Sequence, residues 1–296
     1  MAYSDPPPPS PPTADVAWRS EVARCRADLA RHRASVLAHA RPAGIHGVRV
    51  SLRRLRGAAR LFADAWPDAG TDALAAEAAR IARACGPARD IEVFLGETLP
   101  DAGKAGAVSA EDLAALRRVG LKLKRVRRAA ARAALQGEQF TAFEAMLAAA
   151  EAAPADGAPP LREFAQAALA KADQRVRKRG RGLARLKDAG RHRLRLAVKK
   201  ARYAAQTLAA SFEPAAAASY AEATARLQGA LGAVTDAATA RAVLDDIAGA
   251  ARPADSARIA QAGRAILRFV TREGRRRERK LDRAWRVFRA APPLWR

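Results

Sequence analysis

The chain has 296 residues, half of them hydrophobic, and its 54 Lys and Arg against 30 Asp and Glu leave a net charge of +24. Such a surplus repels itself and calls for an anionic counterpart: nucleic acid, an acidic membrane surface or another polyanion. Charges interrupt every apolar run, which excludes a membrane-spanning segment, and the two cysteines, Cys25 and Cys85, show no CxxC spacing, which excludes a disulfide framework or a zinc ligand set.

Much of the apolar content is alanine, the best helix former, and alternating β-branched runs are absent, so an all-α chain is expected. The opening stretch "MAYSDPPPPSPPTADVAW" lacks the basic and apolar regions of a signal peptide and reads as a disordered, proline-rich tail over residues 1–15. A cytoplasmic protein is expected from this. A long first helix ends at "ARPAG" (40–44), and a second, starting near His46, ends at "WPDAGTD" (66–72). A third reaches "CGP" (85–87), which introduces a fourth; "PDAGKAG" (100–106) reads as a loop, and "PADGAPP" (154–160) is the strongest break. The order then recurs. A long helix precedes "KDAG" (187–190), the His192 helix ends at "FEP" (212–214), and "LGAVTD" (231–236) mirrors "CGPARD" (85–90). A last long helix is expected from about Ser256 toward Ala290.

The recurrence has a constant offset. His192 follows His46 by 146 positions, and the same step takes Arg49 to Arg195, Arg53 to Lys199, Arg54 to Lys200 and Arg56 to Arg202. It also takes Arg80 to Arg226, Gly86 to Gly232 and Asp90 to Asp236. This register describes a duplicated helical unit, each copy a bundle of roughly four main helices.

On a helix turning about 100° per residue, with His46 at zero, Arg49, Arg53, Arg56 and Arg60 fall within an arc of about 80°. Val48, Leu52, Leu55, Ala59 and Phe62 form a separate apolar stripe. Arg54 falls off the cationic stripe. The second copy repeats the arrangement with His192, Arg195, Lys199 and Arg202 beside Leu194, Val198, Ala201 and Leu208. Four like charges in about three turns cost helix stability, and no acid is spaced to pair with them in the first copy. The stripe therefore reads as a built anion site. It spans about 10 Å from Arg49 to Arg56, which suits an extended polyanion better than one small phosphate. Both histidines follow a Gly-containing break, at a helix start that suits phosphate. No HxxxH or HExxH spacing supports a metal.

Weaker candidates come from the flanking helices. His32 and His39 map onto Lys178 and Arg185, and Lys171 shares a face with Lys178; Arg118 and Lys122 map onto Arg264 and Arg268. Arg117, Lys124 and Arg128 do not recur and read as solvated. Asp90 and Asp236, each in a first helical turn, read as dipole partners or as carboxylates that orient ladder arginines.

The motifs "HGVRVSLRRLR" with "GPARDIEVF", and "HRLRLAVKKARY" with "LGAVTDAATA", resemble the CHAD family, the conserved histidine α-helical domain. The resemblance covers nearly the whole chain after the tail, taken as a CHAD domain over 16–291. It implies two antiparallel four-helix bundles, 16–153 and 161–291, about a pseudo-twofold axis, with a basic groove or pore that binds inorganic polyphosphate. It implies no catalysis and no cofactor. Carried over by position, the basic residues are His46, Arg49, Arg53, Arg54 and Arg56, and His192, Arg195, Lys199, Lys200 and Arg202. Tyr203 matches a tyrosine of the second motif where the first copy has Gly57, and Thr235 stands where the first copy has Arg89.

Polyphosphate binding, at polyphosphate granules and open to other polyanions, is therefore the expected function. A non-specific nucleic-acid binder is the alternative, since charge alone would support it. Against it, almost no aromatics interleave with the ladders for bases to stack on. A phosphate-transfer enzyme lacks a Gly-rich phosphate loop, a carboxylate pair for magnesium and a nucleophile–base arrangement.

Overall fold

Alanine, leucine and valine at three- and four-residue spacing fold into helices throughout the residues that the computed structural model describes: 12–38, 43–63, 71–153 and 157–295. Among these there is no strand, and the one β-type contact is an isolated bridge between Thr13 and Pro160. The first helices are α1 (Ala14–Leu37), α2 (Ala43–Phe62), α3 (Thr71–Ala84) and α4 (Gly86–Val93). The expected loop at 100–106 is instead largely helix. A π turn at Phe94–Thr98 leads from α4 into α5 (Leu99–Lys104), and the chain turns only at Gly106, with φ 63°. Pro100 is the second residue of α5, directly after the π turn, so proline here is carried within a continuous helical run rather than ending it.

Next come α6 (Ala110–Gln136) and α7 (Glu138–Ala152). The Ser109 hydroxyl caps α6 by accepting from the Asp112 N–H at 3.1 Å. The chain continues through α8 (Leu161–Arg179), a 3-10 turn at Leu183–Arg185, α9 (Asp188–Thr207), α10 (Pro214–Ala230) and α11 (Ala233–Gly249). The expected single last helix is two, α12 (Pro253–Glu278) and α13 (Leu281–Ala290), joined at Arg279–Lys280. No Gly or Pro marks that joint. Its cause is burial: the turn lets α13 lay Leu281, Ala284 and Phe288 into the core, where Phe288 meets the buried Tyr220 of α10.

The buried apolar side chains form two clusters, and both halves of the chain contribute to each. The larger joins α1, α2, α3 and α7 to α8, α9, α10 and α13. The smaller joins α4, α5 and the first half of α6 to α11 and α12. In the larger, Phe62 is fully buried, stacks on Phe164 of α8 with ring centroids 5.0 Å apart, and touches Trp18 of α1 at 5.7 Å. Burial of such a ring contributes about 1.5–3 kcal/mol. The two halves are also tied at their starts: the Ala14 N–H donates to the Pro159 carbonyl at 3.0 Å, and the Leu161 N–H to the Pro12 carbonyl at 2.9 Å.

Candidate functional site

The apolar stripes of the two ladder helices are buried as their spacing requires: Val48, Leu52, Leu55, Ala59 and Phe62 on α2, and Leu194, Val198, Ala201 and Leu208 on α9. Burying these stripes fixes the rotation of each helix, and the neighbouring cations follow. The helices meet at Gly57, where a Cβ would lie 3.3 Å from the Cβ of Tyr203. A larger residue at 57 would hold the two ladders apart.

Between α2, α8 and α9, from Pro159 to the Gly57–Tyr203 contact, lies a cavity of about 640 Å³. Its lining carries the cations Arg53, Arg56, Arg60, Lys171, Arg175, Lys199 and Lys200, and one acid, Glu163. Its apolar wall includes Leu61, Phe164, Ala167, Ala168 and Leu196. The size falls in the range of about 300–1,000 Å³ usual for small-ligand sites.

The field inside is strongly positive. Burial, with Arg53, Arg195, Arg56 and Arg49 close by, lowers the Lys199 amine to about 8. Lys200 is also lowered, by partial burial and then by Arg60, Arg175 and Arg179. Burial raises the Tyr203 phenol, opposed by Arg53, Arg202 and Arg195. The Arg53 guanidinium lies over that ring, 5.8 Å from the centroid. Arg56 and Arg202, at equivalent ladder positions, each hold a buried Nε without a hydrogen-bond partner among the described residues. Donors left in this state favour an incoming acceptor.

His46 is exposed at the foot of α2. Loss of part of its hydration, then Arg89, Arg53 and Arg49, lower its imidazole, with Glu97 opposing. His32 packs on α2 at Gly47, where a Cβ would fall 2.2 Å from its Nδ1. Arg49 is partly committed to structure: its Nη1 donates to the Ala82 carbonyl at 2.6 Å, in the last turn of α3, and passes 3.1 Å from where a Gly86 Cβ would be. Burial raises the Asp90 carboxyl, and Arg49, Arg127 and Arg89 pull it back. Asp90 therefore faces a ladder arginine. Asp236 accepts from Arg277 at 2.6 Å.

Arg54 lies apart from the groove. Its Nε donates to Glu21 at 2.6 Å, and Glu21, only 2% exposed, also pairs with Arg24. The second half differs at both equivalent positions. Ala167 stands where the first has Glu21, and Lys200 stands where it has Arg54. Lys200 and Ala167 both line the cavity, so the acid that neutralises one copy is missing from the other.

His192 is exposed at the start of α9; Arg195 and Arg202 are half-buried near Tyr203. Lys171 lines the cavity, whereas Lys178 and Arg185, both exposed, do not. Arg118 and Lys122 on α6, and Arg264 and Arg268 on α12, are exposed and also lie outside its lining. His39 lies outside the described residues. Arg128, expected to be solvated, is 3.7 Å from the buried Glu92. Two cations escaped the sequence reading, Arg89 beside His46 and Arg175 in the cavity. Arg175 follows Lys171 by one helical turn, a signal hidden because its counterpart in the repeat is Leu29.

A second cavity, of about 620 Å³, lies between α4–α5 and α11–α12 and mixes Asp90, Glu97, Asp101, Asp236 and Glu273 with Lys104, Arg276 and Arg277. Its mixed lining makes it no rival anion site. Cys25 and Cys85 are buried free thiols, each pushed up to about 11 by burial. Among the described residues no His, Cys, Asp and Glu cluster could hold a metal, and no helix is long and apolar enough to cross a membrane.

The chain belongs to the CHAD family: the CHAD domain model matches residues 21–245. The fold is similar to the crystal structure of the CHAD domain from the plant Ricinus communis, at 24% identity and a TM-score of 0.78, covering 99% of this chain and 97% of that one. It is also similar to PptA from Streptomyces chartreusis, at 17% identity and a TM-score of 0.67, covering 93% of this chain and 100% of that one. Comparison with curated protein sequences gives no match.

Proposed function

We propose that this protein binds inorganic polyphosphate, without catalysis, in the groove where α2 and α9 bring their ladders together. The observation that carries the reading is the surrounding of Lys199: the charges that act on it most are Arg53, Arg195, Arg56 and Arg49, drawn from both ladders. Burial lowers this lysine most and the surrounding arginines lower it further; like charges gathered this closely are costly in the free protein, and a bound polyanion would relieve that repulsion. Guanidinium groups suit the task because their planar forks bind phosphate oxygens in pairs. A homopolymeric phosphate chain has no bases to read, so repeated cations along its length suffice.

The reading extends to symmetry and location. Two contacts join positions that the repeat makes equivalent or adjacent to equivalent: Gly57 with Tyr203, and Thr13 with Pro160. Residues that meet their own counterparts are what a rotation axis exchanging the two halves would require. This supports two antiparallel four-helix bundles about a pseudo-twofold axis, with the cavity beside that axis. Association with polyphosphate granules in the cytoplasm follows from the ligand.

The test is a competition between long-chain polyphosphate and duplex DNA of matched total charge, at several salt concentrations. Polyphosphate should win at equal charge, and its affinity should fall steeply with salt as condensed counterions are released. Equal competition by DNA would replace this reading with general polyanion binding.

A further inference from the structure

We infer that Lys199 is a site of covalent acylation, modified in preference to the other lysines by acyl phosphates, the mixed anhydrides of a carboxylic acid and phosphate. The inference rests on the reading that the groove binds phosphoryl groups.

The cavity combines the two recognition elements that an acyl phosphate requires. Arg53 and Arg56 line it beside Lys199 and supply paired donors for a phosphoryl group. Phe164, Ala168 and Leu196 line the same space and supply apolar contact for the acyl group. A reagent that is phosphate at one end and alkyl at the other finds partners for both ends in the lining of this one cavity. Lys199 opens onto the cavity, and no carboxylate among the described residues pairs with it. Its amine is lowered to about 8 by burial and by Arg53, Arg195, Arg56 and Arg49, the charged groups that act on it most. A substantial fraction is therefore neutral and nucleophilic near pH 7.5, whereas an ordinary exposed lysine is almost wholly protonated.

The step balances without a further reactant. The neutral amine attacks the carbonyl carbon, a C–N bond forms, and the C–O bond to phosphate breaks. Inorganic phosphate leaves with the bonding pair, and the amine proton passes to it or to solvent. Nothing is oxidised or reduced. The product is an amide at Lys199, which removes one positive charge from the centre of the groove.

The experiment treats the full chain with acetyl phosphate at pH 7.5 and follows site occupancy at each lysine by peptide mass spectrometry. A parallel reaction uses an uncharged N-hydroxysuccinimide ester of acetate. With acetyl phosphate, Lys199 should react about tenfold faster or more than the exposed Lys104 and Lys122. Inorganic phosphate should suppress that preference, and the uncharged ester should show it several-fold less. Equal rates at Lys199 and the exposed lysines would overturn the inference. So would a preference of the same size with the uncharged ester, which would mean a reactive amine without phosphoryl recognition. Direct titration of the same sample with polyphosphate separates the two claims. Selective, phosphate-sensitive acylation without polyphosphate binding would sink the proposed function and leave Lys199 as an acylation site.

Discussion

Gly57 and Tyr203 touch where α2 crosses α9, and they stand 146 positions apart, the offset that separates the two ladders. Two positions that the sequence offset makes equivalent are thus in contact. Two rings cannot fill that space, and one copy carries a tyrosine while the other carries no side chain. The tyrosine then serves the first ladder, because Arg53 lies over its ring.

Gly57→Tyr should destabilise the protein by about 1–3 kcal/mol or more, the usual cost of overpacking. Adding Tyr203→Gly should recover much of the loss, since it restores one ring and one gap. Urea unfolding of the two variants checks this. A swap no more stable than the single change would mean that the two positions are not interchangeable.

Arg56→Gln with Arg60→Gln should weaken polyphosphate binding far more than Arg117→Gln with Arg241→Gln. Both doubles remove two charges, but Arg56 and Arg60 line the cavity, whereas Arg117 on α6 and Arg241 on α11 are exposed and lie outside its lining. Each lost charge-assisted contact should cost about 1.5–3 kcal/mol. Circular dichroism of both doubles shows whether they remain folded, and titration calorimetry gives the affinities. Equal losses would favour diffuse attraction over a shaped groove.

Arg54→Met should cost stability and leave polyphosphate affinity nearly unchanged. Its guanidinium is paired with Glu21, which is 2% exposed and would be left with Arg24 and the weakly donating Cys25 thiol. Stranding a buried carboxylate costs about 1–3 kcal/mol or more. Thermal unfolding reads the loss, and titration of the folded variant reads the affinity. A large drop in affinity at unchanged stability would place Arg54 on the ligand instead.

His46 carries a pH dependence whose sign follows from its surroundings. Partial dehydration and the arginines around it lower its folded-state value below the ordinary one of 6.5. The penalty for charging it is therefore full below the folded value and vanishes above the ordinary one. Wild type should gain stability relative to His46→Gln as pH rises through that window. A bound polyanion reverses the local field, so binding should take up protons and strengthen as pH falls through the histidine range. Calorimetry in buffers of different ionisation enthalpy counts those protons. No uptake by wild type, or equal uptake by His46→Gln, would assign the imidazole a purely structural place.

Much of this architecture is local and therefore legible in the chain. Helix identity follows from alanine content and spacing, and the two cationic stripes follow from 3.6-residue periodicity, because both are properties of single helices. Pro100 and the Arg279–Lys280 joint were not legible in the same way. Proline reads alike as a breaker and as a first-turn residue, and the joint depends on where Leu281 and Phe288 can be buried.

Among the cations, the sequence by itself determined which residues share a face with which; it could not determine what stands opposite. Arg53 and Arg54 are neighbours in the chain, yet one lines the cavity and the other pairs with Glu21, thirty-three positions earlier. Arg49 belongs to the ladder by spacing, yet its guanidinium is held by the carbonyl of Ala82. Lys171 and Arg175 lie on α8, a hundred positions and more beyond the first ladder, and still close the cavity that holds Arg53 and Arg56. Tertiary packing decided these outcomes, because the energy of a charge depends on its burial and on the sign of its nearest neighbours. Both are set by helices remote in sequence.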